Sequence, residues 1–250
     1  MTDRVWLRRA RPFLGTLVDV GVPEGHDAAV QAAFAVMAQV QACMSIHDQD
    51  SDLSRSHAAQ VGQFTPLHPW TADVLLMAQA LYAQTDGLFD VSLGSGRWTL
   101  AQEQGTHHLI RLDDATRLDL GGLAKGWAVD HALQAALQEG AGAAWINAGG
   151  DVKVSGVTLP VVLRHEASGG VQPWAELSDG AMATSDFRHG ARSQLSGTRR
   201  AGHVSVAAPQ CASADALTKV VALYGSITHP LVLDLLKAHQ AQAWIHHEAP

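Results

Sequence analysis

Residues 119–130 read DLGGLAKGWAVD and predict the point at which a strand ends and a helix begins. The helix is predicted from about Ala124 to Glu139, directly after the glycine pair Gly121 and Gly122. Glycine lets a ligand approach the backbone closely, the free amides at a helix start attract phosphate, and Lys125 adds a positive charge in the first turn. The spacing is neither a Walker loop nor a GxGxxG fingerprint. The segment therefore indicates a phosphate site, with an ordinary glycine turn and an exposed lysine as the alternative.

Three further segments combine turn residues with an acidic residue. Residues 147–151 (NAGGD) place a second glycine pair after an apolar strand and predict a hairpin turn. Residues 213–219 (SADALTK) start a helix with Asp215 in its first turn, where the carboxylate either caps the helix or binds a hard cation such as magnesium. Residues 85–94 (TDGLFDVSLG) end a helix, and Asp90 belongs either to that helix stop or to a site.

The spacing of apolar residues predicts a mixed fold in which strands and helices do not alternate regularly. Helices are predicted at residues 27–40, 71–81, 124–139, 214–224 and 231–239, and strands at 16–22, 108–112, 117–120, 143–147, 152–157, 203–207 and 241–246. Asp27 and Thr71 are the predicted N-caps of the first two helices. A polar stretch at 45–57 is predicted to be an irregular loop, and residues 165–202 show little periodicity. These patterns favour the α+β class, with a single domain over residues 1–250.

The composition narrows the classes of function. The 250-residue chain is 47% apolar and 16% charged, as expected of a globular protein, and its formal net charge of −7 argues against broad binding to nucleic acid or anionic membranes. No run of residues is long and apolar enough for stable membrane insertion. The basic N-terminus lacks the apolar segment of a signal peptide, so a cytoplasmic protein is expected. The two cysteines and fourteen histidines show no zinc-binding spacing.

Seven segments, taken together and in this order, resemble the motifs of the ApbE family of FAD:protein FMN transferases. They are residues 14–16 (LGT), 45–55, 85–94, 119–130, 147–151, 183–185 (ATS) and 214–217 (ADAL). The segment 119–130 is a nearly complete match to the family pattern D-x-G-G-I-A-K-G-Y-A-V-D, and the others match less fully. Because the segments occur in family order and span nearly the whole chain, the resemblance is specific as a set.

The resemblance implies an α+β fold with a mostly antiparallel sheet, flanking helices and a cleft between lobes for FAD. It implies magnesium-dependent transfer of FMN from FAD to a threonine of a target flavoprotein, with release of AMP. By the same resemblance, Asp215 and the Ala124 carbonyl bind magnesium. The adenosine and phosphate end of FAD is expected at Asp119, Gly121, Gly122 and Lys125, and the flavin end at Leu14, His47 and Asp90.

The chain departs from the family pattern at positions that bear on the flavin and the metal. His47 stands where the family has a flavin-contacting tyrosine, and an imidazole can still stack with a smaller area. Asp52 stands in place of a glutamate. Lys219 stands where well-known members have a metal-binding threonine, and its ammonium is expected near the metal site or partly in place of the ion. Thr218 is a further candidate ligand, although one helical position, a rotation of about 100°, separates it from 219.

The largest departure lies at residues 188–203, RHGARSQLSGTRRAGH, where the family carries H-I-I-D-P-x-T-G with a histidine proposed as the catalytic base. His189 and His203 are therefore the candidate bases. Arg199 and Arg200 are either phosphate contacts or part of a solvated loop.

Three functions follow from these motifs. The first is FMN transfer, with Asp215 and Lys219 completing the predicted catalytic set. The second is an FAD-binding protein with little transferase activity, which the lost histidine motif and Lys219 favour. The third is a magnesium-dependent FAD pyrophosphatase that yields FMN and AMP, as some family members do.

Overall fold

The computed structural model describes residues 5–165, 170–187 and 202–246. Its elements, in chain order, are β1 (Trp6–Phe13), β2 (Thr16–Pro23), α1 (Asp27–Met44), α2 (Asp52–Ala58), β3 (Thr65–Pro66), α3 (Pro69–Gln84), β4 (Trp98–Glu103), β5 (Thr106–Arg111), α4 (Ala124–Gln138), β6 (Ala144–Ala148), β7 (Asp151–Ser155), β8 (Thr158–His165), β9 (Gly170–Ser178), β10 (Ala181–Asp186), β11 (His203–Ala208), α5 (Cys211–Tyr224), α6 (Pro230–Ala238) and β12 (Gln242–His246). Within these described ranges, no helix has both the length and the apolar character needed to cross a bilayer.

The strands form one large sheet and two small ones. The large sheet has the order β1-β2-β6-β7-β10-β11-β12, and every pair of neighbours in it is antiparallel. The small sheets, β3-β5-β4 and β8-β9, are antiparallel as well. The α+β class and the mostly antiparallel sheet predicted from the sequence are therefore confirmed.

The two faces of the large sheet contact different apolar clusters. On β10, Ala181 and Ala183 belong to the main core, whereas Met182 between them belongs to a smaller cluster on the other face. This follows from the two-residue repeat of a strand. Helices α1, α4 and α5 pack on the main-core face, with α1 against β2, α4 against β6 and β7, and α5 against β10 and β11. Helix α5 is enclosed as a result, because every residue from Cys211 to Ala222 is buried.

Helices α4 and α5 cap each other at their N-terminal ends. Neither helix has a side-chain cap at its own N-cap residue. Asp130 of α4 accepts hydrogen bonds of 2.9 Å from the amides of Cys211 and Ala212, and Asp215 of α5 accepts one of 3.2 Å from the amide of Gly126. These reciprocal caps place a carboxylate at the positive end of each helix dipole. The first turn of α4, which follows the glycine pair, is thereby fixed to α5.

The prediction of a loop at residues 45–57 is wrong in its second half, because helix α2 begins there. The Oγ of Ser51 accepts from the amide of Ser54 at 3.0 Å and caps the helix. The Asp52 carboxylate accepts from the Arg55 side chain at 2.6 Å and from the amide of His68 at 2.8 Å. A short helix held by caps and ion pairs lacks the apolar periodicity from which helices are predicted.

The predicted N-caps of α1 and α3 are also wrong. The N-cap residues are His26 and His68, so Asp27 is the first helical residue of α1 and Thr71 lies inside α3. Pro69 opens α3, which suits a proline because the first helical amide needs no partner within the helix, and the His68 Nδ1 accepts from the amide of Trp70 at 3.2 Å. Strands β1, β3, β4, β8, β9 and β10 had no counterpart in the prediction.

Residues 117–120 form no strand, contrary to the prediction, and side-chain and loop contacts hold them instead. The amide of Leu118 donates to the His57 Nε2 at 2.9 Å, and the amide of Asp119 donates to the Val91 carbonyl at 2.8 Å. Because His57 accepts at Nε2, its ring must be neutral in this arrangement. His57 therefore fixes the segment that leads into the glycine pair.

We expect the free energy of unfolding to fall as the pH drops below about 6.5, the ordinary pKa of histidine. Burial, together with the charges of Arg117 and Arg111, lowers the pKa of His57 in the folded protein. The unfolded chain therefore takes up a proton first, and stability declines from that pH down to the lowered pKa. Urea denaturation at pH 5.5 and 7.5 measures this change. His57→Gln keeps an acceptor but does not titrate, so the free energy of unfolding should differ less between the two pH values in this variant. An undiminished difference would contradict the attribution of the pH dependence to His57.

Candidate functional site

Four charged side chains from three segments converge where α4 meets α5. Lys125 lies in the first turn of α4, Asp151 opens β7, and Asp215 and Lys219 lie one turn apart on α5. The Lys125 Nζ pairs with the Asp151 Oδ2 and lies 3.9 Å from the Asp215 Oδ2, and the Lys219 Nζ pairs with the Asp215 Oδ1. We call these four residues the charge cluster. It contains two ammonium groups and two carboxylates.

Asp215 is the centre of the charge cluster. Its side chain is fully buried, at 0% exposure. Burial alone would raise the pKa of this carboxyl, but Lys125, Lys219 and the amide of Gly126 together hold it below its usual value. Asp215 is therefore an anion with donors on both oxygens, since Oδ1 contacts Lys219 and Oδ2 contacts the Gly126 amide.

Lys219 is positioned by three neighbours. A lysine four residues after an aspartate on a helix faces it, and the Lys219 side chain is only 10% exposed. Its Nζ donates to the Ser185 Oγ at 3.1 Å, in addition to the Asp215 carboxylate. Its aliphatic stem runs beside Gly122, since a Cβ placed at that glycine would lie 3.4 Å from the Lys219 Cε. The lysine thus links the β10 strand, the α5 helix and the glycine pair.

The hairpin turn predicted for residues 147–151 is confirmed, and it supplies Asp151. Strands β6 and β7 pair directly across it, and the Asn147 Oδ1 accepts from the amide of Gly150 at 3.0 Å. The Asp151 side chain is 1% exposed. Its Oδ2 contacts Lys125, and its Oδ1 is buried without a hydrogen-bond partner among the described residues.

A hydrogen bond to the Asp119 carboxylate holds the turn at the glycine pair. The Asp119 Oδ1 accepts from the amide of Gly121 at 2.7 Å, which closes a tight turn. Gly121 is exposed and Gly122 half-buried, and Ala124 follows as the first residue of α4. The N-terminal end of α4 therefore brings Lys125 close to Asp119, Gly121, Gly122 and Ala124, next to the other members of the charge cluster.

The predicted flavin-side residues are not joined to the charge cluster by any described contact. Leu14 has a positive φ of 52°, and its amide donates to the Gln41 Oε1 at 2.9 Å. The Asp90 carboxylate accepts from the amide and hydroxyl of Ser92 and from the amide of Gly94, which closes a turn beyond the end of α3. His47 is exposed. Their part in flavin binding stays a prediction.

Only one of the two candidate bases lies among the described residues. His189 lies outside the described residues. His203 pairs with Asp186 across β10 and β11, with 3.7 Å between its Nε2 and the Asp186 Oδ2. Because strand side chains alternate, Asp186 and His203 lie on the opposite face of the sheet from Ser185, which contacts the charge cluster. The role of either histidine as the base stays a prediction.

The described residues do not offer magnesium the donor set that it prefers. Magnesium is usually bound by one or two carboxylates, and waters and substrate phosphates complete its six oxygen ligands. No group of three or more His, Cys, Asp or Glu side chains able to hold a metal occurs in the described part of the chain. Asp215 already receives donors at both oxygens, and the Thr218 Oγ1 donates to the Asp215 backbone carbonyl at 2.7 Å and contacts the Ser185 Oγ at 2.8 Å. The Thr218 hydroxyl is therefore bonded to other groups and not to the Asp215 carboxylate.

Asp151 belongs to the charge cluster, and Ser185 contacts it. Neither was predicted as a site residue. Both lie in segments that match the family motifs, 147–151 and 183–185. A motif match shows which residue types recur, but it does not show that the β6–β7 turn and the end of β10 face α4 and α5. The signal that could have found Asp151 is its position beside a glycine pair after an apolar strand.

Comparison with known proteins gives one family match and several similar structures. The sequence model of the ApbE family matches residues 14–105 and 97–244. No match was found among curated proteins.

Three solved structures illustrate the similarity of fold. The flavin transferase ApbE from Vibrio cholerae has 18% identity and a TM-score of 0.78, with 97% of this chain and 93% of that chain covered. The ApbE protein from Thermotoga maritima has 20% identity and a TM-score of 0.81, with 96% and 94% covered. The apo form of the flavinyl transferase ApbE from Pseudomonas stutzeri has 18% identity and a TM-score of 0.77, with 97% and 90% covered.

Proposed function

The chain belongs to the ApbE family, and from this premise we propose that it transfers FMN from FAD to a threonine of a target flavoprotein and releases AMP. The observation that carries the proposal is the charge cluster beside the glycine pair and the first turn of α4. Two ammonium groups beside a glycine pair can bind a pyrophosphate through charge-assisted hydrogen bonds. Two of the proteins with a similar structure are a flavin transferase and a flavinyl transferase, which supports the same reaction.

The reaction exchanges one phosphorus–oxygen bond for another. The threonine hydroxyl attacks the FMN-side phosphorus, the bond to the bridging oxygen breaks, and that oxygen leaves with AMP. The hydroxyl proton passes to a base, and we favour His189 over His203, because His203 lies on the opposite face of the sheet from Ser185 and the charge cluster. Lys125 binds the pyrophosphate and offsets the negative charge that develops on its oxygens. Asp119 and the glycine pair keep the backbone open for that approach.

Magnesium is assigned no step in this proposal, because both oxygens of Asp215 already receive donors. Were the ion present, it would supply charge neutralisation at the pyrophosphate. We further propose that residues 1–250 act as one domain in the cytoplasm.

A transfer assay tests the proposed function. The purified protein is incubated with FAD, with and without a flavoprotein that contains a candidate acceptor threonine, and both AMP and the acceptor mass are measured. AMP release with an acceptor mass gain equal to FMN is expected. FAD binding without AMP, across several acceptors, would instead support a binding protein. Free FMN and AMP without acceptor modification would support a pyrophosphatase.

Gly122→Val is expected to lower FAD affinity by about tenfold or more, as the loss of one or two charge-assisted phosphate contacts would. A branched side chain at this position would occupy the space where backbone and phosphate meet, and it would press on the Lys219 stem. Fluorescence quenching of FAD measures the affinity. Gly142→Val is the matched control, because a Cβ at that glycine meets nothing within 4 Å. Equal FAD affinity in Gly122→Val and the wild-type protein would mean that the glycine pair is only a turn.

A further inference from the structure

The ammonium group of Lys219 occupies a position that a cation bound to Asp215 would need. It contacts the Oδ1 of this fully buried carboxylate and the hydroxyl of Ser185. We propose that Lys219 takes the electrostatic role of a divalent cation in this chain, so that FAD is bound and FMN transferred without magnesium. This inference rests on the proposed function for its ligand, whereas its statement about cation binding stands on the charge cluster alone.

The charges of the cluster balance without a metal. Lys125 and Lys219 contribute two positive charges, and Asp151 and Asp215 contribute two negative charges. A threonine at position 219 would leave a net charge of −1, which attracts a dication. With the lysine, a dication would enter a neutral cluster that holds two ammonium groups within a few ångströms of the same carboxylate, where its repulsion by them is strong.

The packing of Lys219 leaves little freedom to make room for an ion. Its side chain is 10% exposed, its stem lies against the glycine pair, and it is tied to two partners. Magnesium at the Asp215 Oδ1 would have to displace the ammonium into a buried position without its carboxylate, and an unpaired buried charge is costly. The Asp151 Oδ1 has no hydrogen-bond partner among the described residues, but the same carboxylate already pairs with Lys125, whose charge would repel a dication there.

The same geometry suits an ammonium group that contacts phosphate. A lysine has three donors, and the described contacts of Lys219 use two, to Asp215 and Ser185. The third is available to an oxygen of a pyrophosphate that approaches past Gly122, the glycine beside the lysine stem. Lys125, whose Nζ lies 3.9 Å from the other oxygen of Asp215, supplies the second ammonium. Asp215 is then the positioning residue for both lysines.

The experiment measures cation binding and FAD binding separately. Manganese, as a magnesium analogue, is titrated into the FAD-free protein and followed by its electron paramagnetic resonance signal, and FAD affinity is measured by fluorescence quenching in EDTA and in excess magnesium. For the wild-type protein we expect no manganese site that depends on Asp215 and the same FAD affinity in EDTA and in magnesium.

Lys219→Thr is the decisive variant. It should gain a manganese site, and its FAD affinity should fall about tenfold or more in EDTA and recover in magnesium, since one charge-assisted contact is lost and the ion restores it. Lys237→Thr, an exposed lysine on α6, is the matched control and should behave as the wild type.

Two results would overturn the inference: a wild-type manganese site that Asp215→Asn abolishes, or wild-type FAD affinity that collapses in EDTA. Neither result depends on Lys219→Thr, so they decide the question even if that variant fails to fold. Absence of FAD binding under every condition would refute the proposed function, while the manganese titration would still decide whether Lys219 excludes the ion.

Discussion

Gly126→Ala should destabilise the folded chain by roughly 3 kcal/mol or more, at the upper end of what overpacking costs. A Cβ at this position would lie 2.7 Å from the carbonyl carbon of Cys211 and 2.8 Å from the Asp215 Cβ, and closer still to the Cys211 carbonyl oxygen. The atoms it meets first belong to the backbone of α5, which cannot turn aside as a flexible side chain can. Relief would require α4 and α5 to separate, and that would break both reciprocal caps.

Urea denaturation of the two proteins measures this loss. Gly142→Ala is the matched control, because it makes the same chemical change at an exposed glycine where a Cβ meets nothing within 4 Å. A Gly126→Ala protein with wild-type stability would show that the two helices are not as close as described. Poor expression of Gly126→Ala alone, with normal Gly142→Ala, would agree with the expected loss.

Asp215→Ala should abolish FMN transfer, by at least about 100-fold, and lower the free energy of unfolding by roughly 3–5 kcal/mol. The substitution removes the anion that holds Lys125 and Lys219 together, and it leaves a nearly buried ammonium without its carboxylate. It also removes the acceptor for the amide of Gly126. The misplacement of the two lysines and the loss of folding stability therefore have the same cause, the absence of the Asp215 carboxylate.

AMP release and urea denaturation, measured on Asp215→Ala, Asp215→Asn and Asp234→Ala, separate the loss of transfer from the loss of stability. Asp234→Ala, an exposed aspartate on α6, should match the wild type in both. Asp215→Asn retains an acceptor for the Gly126 amide but lacks the charge, so it should be more stable than Asp215→Ala and still fail to transfer FMN. Transfer at the wild-type rate in Asp215→Ala would refute the assignment of this carboxylate to the site.

The sequence predicted those elements whose apolar pattern is undisturbed. The helix predicted from 124 to 139 is observed at Ala124–Gln138, and the strand predicted at 203–207 is observed at His203–Ala208. Strand β1 escaped prediction because it is an edge strand with mostly exposed residues, several of them arginines, so one of its faces carries no apolar signal. Helix α2 escaped because polar contacts, rather than an apolar face, hold it.

The charge cluster, our candidate site, was anticipated only in part. Lys125, Asp215 and Lys219 were proposed as site residues because local motifs contain them. Their partner Asp151 and the neighbouring Ser185 could not be assigned, since only the order of strands in the sheet brings β7 and β10 to the two helices. The Lys219 ammonium was expected near the metal site or partly in place of the ion, and the structure places it against Asp215, since positions four apart on a helix face each other.

The reciprocal caps have a consequence for how the protein is made. Gly126 receives its cap from a residue 89 positions later in the chain, and the partners of Lys125 are separated from it by 26 and 90 positions, the latter from the numbers 125 and 215. Synthesis runs from the N-terminus, so the first turn of α4 emerges from the ribosome long before the carboxylate that caps it. The growing chain therefore carries its glycine pair and Lys125 before Asp215 and Lys219 have been made. Under the proposed function, completion of α5 is the step that assembles the nucleotide site.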